Sequence, residues 1–285
     1  MIYGGMVNTI YYYIKLLRPL NVVTSALAII IATAILEGLN NHHVLLITTS
    51  VVMLYTAASN ALNDALDYEI DLINRPGRPI PLGYVSIKGA LFISFLLFAF
   101  GAALCLQLPD MAIVIGVFIS LPLMVTYSTN LKGKYLIGNL VVSFLLGASF
   151  LFVGASHEMT SPMLIPMFLA FGLTFLREII KDVADIEGDL SLGLKTYPII
   201  SGVDSYRRFI ISLCLLVGLF SLVPYLIGIY GLSYLLLLII GVEIPLAIIM
   251  FIFFKNPSIS SAIFSARLLK FSTLIGLLSI YFGTV

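Results

Sequence analysis

Two short stretches concentrate the carboxylates of this 285-residue chain. The first reads Asn60-Ala-Leu-Asn63-Asp64-Ala-Leu-Asp67-Tyr-Glu69-Ile-Asp71, and the second Arg177-Glu178-Ile-Ile-Lys181-Asp182-Val-Ala-Asp185-Ile-Glu187-Gly-Asp189. Aligned on their aspartates, both are D-x-x-D-x-E-x-D. Each continues an apolar run, so helix is the default, and positions i, i+3 and i+7 then lie within about 60° of each other on one face. That spacing stacks Asp64, Asp67 and Asp71, and likewise Asp182, Asp185 and Asp189, with Asn60 and Asn63 one turn earlier on the first helix. Stacked like charges repel, so something must compensate. A solvated polar face ending a helix would account for one such cluster; the same spacing twice points to a divalent cation. Oxygen donors without His or Cys favour Mg²⁺ over Zn²⁺, and Mg²⁺ is commonly completed by substrate phosphate oxygens.

Basic residues gather around the same stretches. Asn74-Arg75-Pro76-Gly77-Arg78-Pro79-Ile80-Pro81 is a proline-stiffened turn presenting two guanidiniums, and Lys132 and Lys134 lie close after Tyr127, Ser128 and Asn130. Arg177, Lys181 and Lys195 bracket the second cluster, and Arg18 precedes the first apolar run. Phosphate contact is the natural use of Arg75, Arg78, Lys132 and Arg177. Lys88, Lys255, Arg267 and Lys270 read as ordinary membrane-flanking charge.

The elements that carry these groups are membrane spans. The chain is 60% apolar or aromatic and 10% charged, with mean hydropathy +1.11, which excludes a water-soluble globular protein. A net charge of +1 excludes a basic nucleic-acid binder. Cys105 and Cys214 each lie inside an apolar run, with no partner at metal-ligand spacing. Nine segments are long enough to cross a bilayer as helices: 20–36, 44–62, 90–108, 111–127, 136–156, 163–176, 209–230, 233–254 and 268–283. With that count all 15 Lys and Arg residues fall on one side, together with both acidic clusters. The positive-inside rule makes that side, including the N-terminus, cytoplasmic. His42, His43 and His157 fall on the opposite side and read as non-catalytic. Glu243, beside Pro245 in the eighth span, is an acid inside the membrane that either serves function or caps a kink. Pro122, Pro166, Pro224 and Pro245 read as bends, and Gly147 and Gly154 as close helix contacts.

The paired motifs Asn63-Asp64-x-x-Asp67-x-x-x-Asp71 and Asp182-x-x-Asp185-x-x-x-Asp189, the Arg75-Pro76-x-Arg78-Pro79 turn, Gly193-Leu-Lys195-Thr196 and the opening Leu17-Arg18-Pro19-Leu20-Asn21 resemble the UbiA-type intramembrane prenyltransferase superfamily. The resemblance covers nearly the whole chain and implies an all-α membrane protein, read as one transmembrane domain over 1–285. Nine helices would surround a central cavity, with the two aspartate motifs facing each other across its mouth. Members transfer a prenyl group from an isoprenyl diphosphate with Mg²⁺. The wording from Asp67 through Pro81 is most similar to archaeal members that add a geranylgeranyl group, from geranylgeranyl diphosphate, to the free hydroxyl of geranylgeranylglyceryl phosphate. The implied metal ligands are Asn63, Asp67, Asp71, Asp182, Asp185 and Asp189. Asn60, Asn63, Arg18, Arg75, Arg78, Tyr127, Ser128, Lys132, Arg177, Lys181 and Lys195 are the implied substrate-binding residues, and Asp64 is a candidate to take the acceptor's proton.

A phosphorylated acceptor would need a second basic patch, for which Lys15, Lys132 and Lys134 are candidates. An aromatic acceptor such as 4-hydroxybenzoate or a quinone precursor would need fewer cations. A transporter also uses repeated halves and intramembrane acids, but its site normally lies near the bilayer midplane, whereas these acids sit at the span ends. A CDP-alcohol phosphotransferase would need an Asp-Gly and an Ala-Arg pair within one segment, which the chain lacks.

Overall fold

The computed structural model describes residues 2–191 and 193–284; the side chains of residues 2–8 and of Asn74, in the arginine turn, lie outside the described ones. In chain order the helices are α1 (Ile2–Leu16), α2 (Pro19–Ile35), α3 (His42–Leu66), α4 (Tyr68–Asn74), α5 (Ile87–Cys105), α6 (Asp110–Leu131), α7 (Ile137–Ser156), α8 (Leu164–Ala184), α9 (Ile186–Ser191), α10 (Tyr197–Ser201), α11 (Val203–Leu226), α12 (Leu232–Lys255) and α13 (Ile259–Thr284). Among the described residues there is no strand. Eight helices (α3, α5, α6, α7, α8, α11, α12 and α13) are each long and apolar enough to cross a membrane, and the pair α1–α2, bent by 45°, makes the ninth. This is a multi-pass, all-α membrane protein. Its outer surface is correspondingly apolar, with Phe95, Phe118 and Phe254 each about 70% exposed toward the lipid.

Three spans differ from their sequence reading. The first is preceded by α1, and the bend falls where Pro19 cannot donate a backbone hydrogen bond. The sixth runs on from Leu176 to Ala184, because Glu178 and Lys181 pair with each other and Asp182 with Asn139 instead of ending the helix in water. The ninth starts at Ile259, with Arg267 and Lys270 inside the helix; long cationic side chains reach the interface while their stems lie against apolar surface.

Two prolines shape the spans. Wide, π-type turns at Val114–Ser120 and Ile239–Glu243 precede Pro122 and Pro245, easing the clash of each ring with the turn behind it. Close approach explains Gly147 on α7: a Cβ there would lie 2.8 Å from the Met167 carbonyl of α8. The largest core joins the second motif's helix to the C-terminal spans, with Leu176, Ile179 and Ile180 of α8 packed among Ile210, Leu246, Ile249 and Phe253. This anchoring fixes where α8 delivers its aspartates. Glu243 accepts a hydrogen bond from Ser221 at 2.6 Å, and Gly218 leaves the room for it. That clips α11 to α12 well away from the aspartates.

Candidate active site

Each aspartate motif straddles a break between a long span and a short helix. Asp67 ends α3 and opens α4 with φ −88° and ψ 12°, and Asp185 ends α8 before α9 with φ −98° and ψ 8°. The continuous helix expected from the sequence is therefore broken at the second aspartate of both copies. The break is a swivel, not an unravelling, because i→i−4 bonds run through it. Asp71 N–H donates to the Asp67 carbonyl at 2.8 Å, and Asp189 N–H to that of Asp185 at 3.0 Å. Local sequence drives it: an aspartate competes with the helical backbone, and tertiary ion pairs hold the turned segment.

In the first motif, Asp64 is 2% exposed and takes two guanidiniums, Arg18 and Arg78, the latter at 2.9 Å. Arg78 also pairs with Asp71, so it straps α3 to α4 across the break. The bend between α1 and α2 delivers Arg18. Asn60 fixes that bend by donating to the Leu17 carbonyl at 3.1 Å and accepting from Arg18 at 3.4 Å. Asp67 pairs with Lys132, carried back from the end of α6 by a wide turn in which Lys132 N–H donates to the Tyr127 carbonyl at 3.0 Å.

In the second motif, Asn139 of α7 donates to Asp182 at 2.8 Å. Glu178, buried one turn earlier, holds Lys181 at 2.6 Å and Arg177 at 3.0 Å. Arg75, from the turn after the first motif, reaches Asp185 of the second at 3.4 Å. The two copies thus face each other and are joined by a guanidinium.

Between them lies a chamber of about 160 Å³. Asp67, Asp71, Asp182, Asp185, Asp189 and Glu178 line it, matched in number by Arg18, Arg75, Arg78, Lys132, Lys134 and Lys181, with Asn63, Asn139 and Tyr127 completing the wall. Burial, then the neighbouring Asp185 charge, pushes the Asp189 carboxyl up to about 6. Burial also raises Asp71, opposed by Arg78.

This donor set fits Mg²⁺. Carboxylates and cations in the wall already balance, so an incoming diphosphate needs further positive charge. The buried Asn63 Oδ1 has no hydrogen-bond partner among the described residues and is a hard oxygen donor in the same wall as Asp67. Among the described residues no three acidic, His or Cys side chains converge as a ready-made metal group. That agrees with an ion held by one or two carboxylates and completed by substrate oxygens.

Some sequence candidates fall elsewhere. Asp64, the candidate proton acceptor, is absent from the chamber wall and paired with two arginines. Asn60 braces the α1–α2 bend instead of facing the chamber. The Ser128 hydroxyl is spent on the Met124 carbonyl at 2.9 Å. Arg177 backs Glu178 from outside the wall, and Lys195 lines a separate depression. Lys15 donates to the Gly77 carbonyl at 3.3 Å and lies over the Tyr12 ring. Conversely, Glu178 and Asn139 belong to the wall although they were not among the expected site residues, and Lys134, expected only for the acceptor's phosphate, lines it as well. The available signals were an acid one turn before the second motif and an Asn near the start of an apolar span.

The UbiA prenyltransferase family matches residues 21–274 of the chain. A digeranylgeranylglyceryl phosphate synthase of Natronomonas pharaonis is 39% identical over 227 residues, covering 79% of this chain and 82% of the relative. A solved structure described as digeranylgeranylglyceryl phosphate synthase in membranes superposes with a TM-score of 0.79 at 31% identity, over 97% of this chain and 98% of that one. A UbiA homolog from Archaeoglobus fulgidus bound to GPP and Mg²⁺ shares the fold, with a TM-score of 0.68 over 94% of this chain and 99% of that one, at 16% identity.

Proposed function

The chain belongs to the UbiA prenyltransferase family, and from that premise we propose that it transfers a geranylgeranyl group from geranylgeranyl diphosphate to the free hydroxyl of geranylgeranylglyceryl phosphate, forming an ether in archaeal membrane-lipid synthesis. The observation that carries this reading is the single chamber in which five aspartates of two motifs meet Lys132, Lys181, Arg75 and Arg78. The relatives named as digeranylgeranylglyceryl phosphate synthase select the substrates.

The diphosphate of the donor sits in the chamber, where Arg75, Arg78, Lys132 and Lys181 accept its charge. Asn63, Asp67 and Asp71 from one side, with Asp182, Asp185 and Asp189 from the other, would hold Mg²⁺, which supplies Lewis-acid neutralisation of the leaving group when bound. Breaking the allylic C–O bond moves negative charge onto the diphosphate, and the preorganised cations favour that transition state over the ground state. Tyr127 presents an aromatic ring at the chamber wall, where a π face stabilises the positive charge left on the prenyl carbon. Apolar spans keep water away from it. The acceptor hydroxyl attacks that carbon and its proton passes to a chamber carboxylate. Asp182 and Asp189 are the two whose side chains form no ion pair among the described residues.

The enzyme lies in the cell membrane with its chamber at the cytoplasmic face, since the loops carrying the basic residues are on that side. The test is to incubate detergent-purified protein with Mg²⁺ and geranylgeranyl diphosphate, offering geranylgeranylglyceryl phosphate or 4-hydroxybenzoate, and to weigh the products. The digeranylgeranyl ether phosphate is expected. Prenylated hydroxybenzoate as the sole product would overturn the acceptor assignment.

A further inference from the structure

The loop 132–136 has two working faces. One closes the catalytic chamber, and the other floors a depression of about 450 Å³, open at the surface. Lys132, Lys134 and Leu194 line both. Lys132 is engaged by Asp67, but the side chains of Lys134 and Lys195, both exposed at the depression, form no ion pair or hydrogen bond among the described residues. Gly133, at φ +74° between Lys132 and Lys134, makes the tight turn of this loop. The nearby N-terminus of α7 has no side-chain cap and adds positive dipole to the same place.

The other wall of the depression is apolar. Tyr135, Ile137 and Ile200 are each between about 40% and 55% exposed there. Two ammoniums beside this exposed apolar wall form an amphipathic cleft. Its chemistry suits an anionic phosphate on an isoprenoid or other lipid tail.

We propose that this cleft binds the phosphate of the lipid acceptor through Lys134 and Lys195, with its hydrocarbon chain along the apolar wall of Tyr135, Ile137 and Ile200, so that the hydroxyl beside the phosphate enters the chamber past the 132–134 loop. The inference rests on the acceptor reading given above and deepens it. A phosphate held here is kept apart from the diphosphate by Lys132, which stands between the two cavities. The enzyme then requires a phosphorylated acceptor by charge, not by shape.

The test compares wild type with the K134Q/K195Q double variant, using geranylgeranylglyceryl phosphate and its dephosphorylated form as acceptors in neutral-lipid nanodiscs. Loss of two charge-assisted contacts is expected to raise KM for the phosphorylated acceptor by about tenfold or more; K195Q alone, at the lysine outside the chamber wall, is expected to raise it severalfold while KM for geranylgeranyl diphosphate stays within about twofold. The preference for phosphorylated over dephosphorylated acceptor should collapse toward one, and K134R/K195R should restore it. An unchanged preference, or a rise confined to the diphosphate KM, overturns the proposal. So does a variant that keeps its acceptor KM and loses only stimulation by added anionic phospholipid, which would make the cleft a general headgroup site. If wild type prenylates neither acceptor, the functional reading fails by itself. The cleft is then judged by donor-free thermal shift with the phosphorylated lipid: stabilisation of wild type but not of the double variant supports it, and equal response overturns it.

Discussion

Asp67 and Asp185 occupy equivalent places at the two helix breaks and are held by cations of different origin, Lys132 from α6 and Arg75 from the opposite motif. On the function proposed above, both carboxylates would exchange these protein cations for Mg²⁺ when the diphosphate binds. Asp67→Ala and Asp185→Ala should each lower kcat by about a hundredfold or more with little change in Tm, since the loss falls on transition-state charge; activity within a few-fold of wild type would contradict the assignment. Arg78 has a different task. It is 16% exposed and sits between two carboxylates that are each 2% exposed. Breaking a buried pair by removing one partner costs about 3–5 kcal/mol, so Arg78→Ala should depress Tm sharply. Arg78→Lys should recover only part of it, because one ammonium does not reproduce the guanidinium fork.

At the level of elements, the chamber exists because two long helices stop at the same motif position and their continuations turn toward each other. The repeat in the sequence announced two equal clusters, whereas the elements make them unequal. Asp64 is walled off by Arg18 and Arg78, while its counterpart Asp182 faces the chamber with Asn139. No spacing rule distinguishes those two aspartates, since the difference lies in a bent N-terminal helix and an arginine arriving from another segment. The α7–α8 contact sets how far Asn139 stands from Asp182. Gly147→Leu would force a side chain into the Met167 carbonyl. Overpacking of that kind costs about 1–3 kcal/mol and should lower both Tm and kcat, whereas Gly147→Ala should do less of each.

For the molecule as a whole, gathering carboxylates in a half-closed chamber is a cost that ligands offset. Asp189 ionises near pH 6 in the fold, well above the ordinary value of 3.8. A carboxyl raised on folding favours the native state fully below its unfolded pKa, and that contribution is lost as pH rises through the folded one. Metal-free protein should accordingly show a Tm that falls between about pH 4 and pH 6 and levels off above. Mg²⁺ with inorganic diphosphate should raise Tm more at pH 7.5 than at pH 5, because only the ionised chamber binds them well. A Tm response to Mg²⁺ and diphosphate that is flat across this range would remove Asp189 from the binding set.

The nine spans, the crowding of charge onto one face and the twin oxygen-donor motifs were all legible in the chain itself, because hydropathy and helical period are local properties and a bilayer forces every backbone group to be satisfied within its own segment. Tertiary structure alone decided which carboxylates share the chamber, that Glu178 and Asn139 join them, that Asn60 serves the scaffold, and that Lys134 and Lys195 have no side-chain partner among the described residues. Those outcomes depend on bends at Pro19 and at the two aspartate breaks and on partners more than forty residues apart. Direction and distance between such groups are set by packing, which no single stretch of sequence contains.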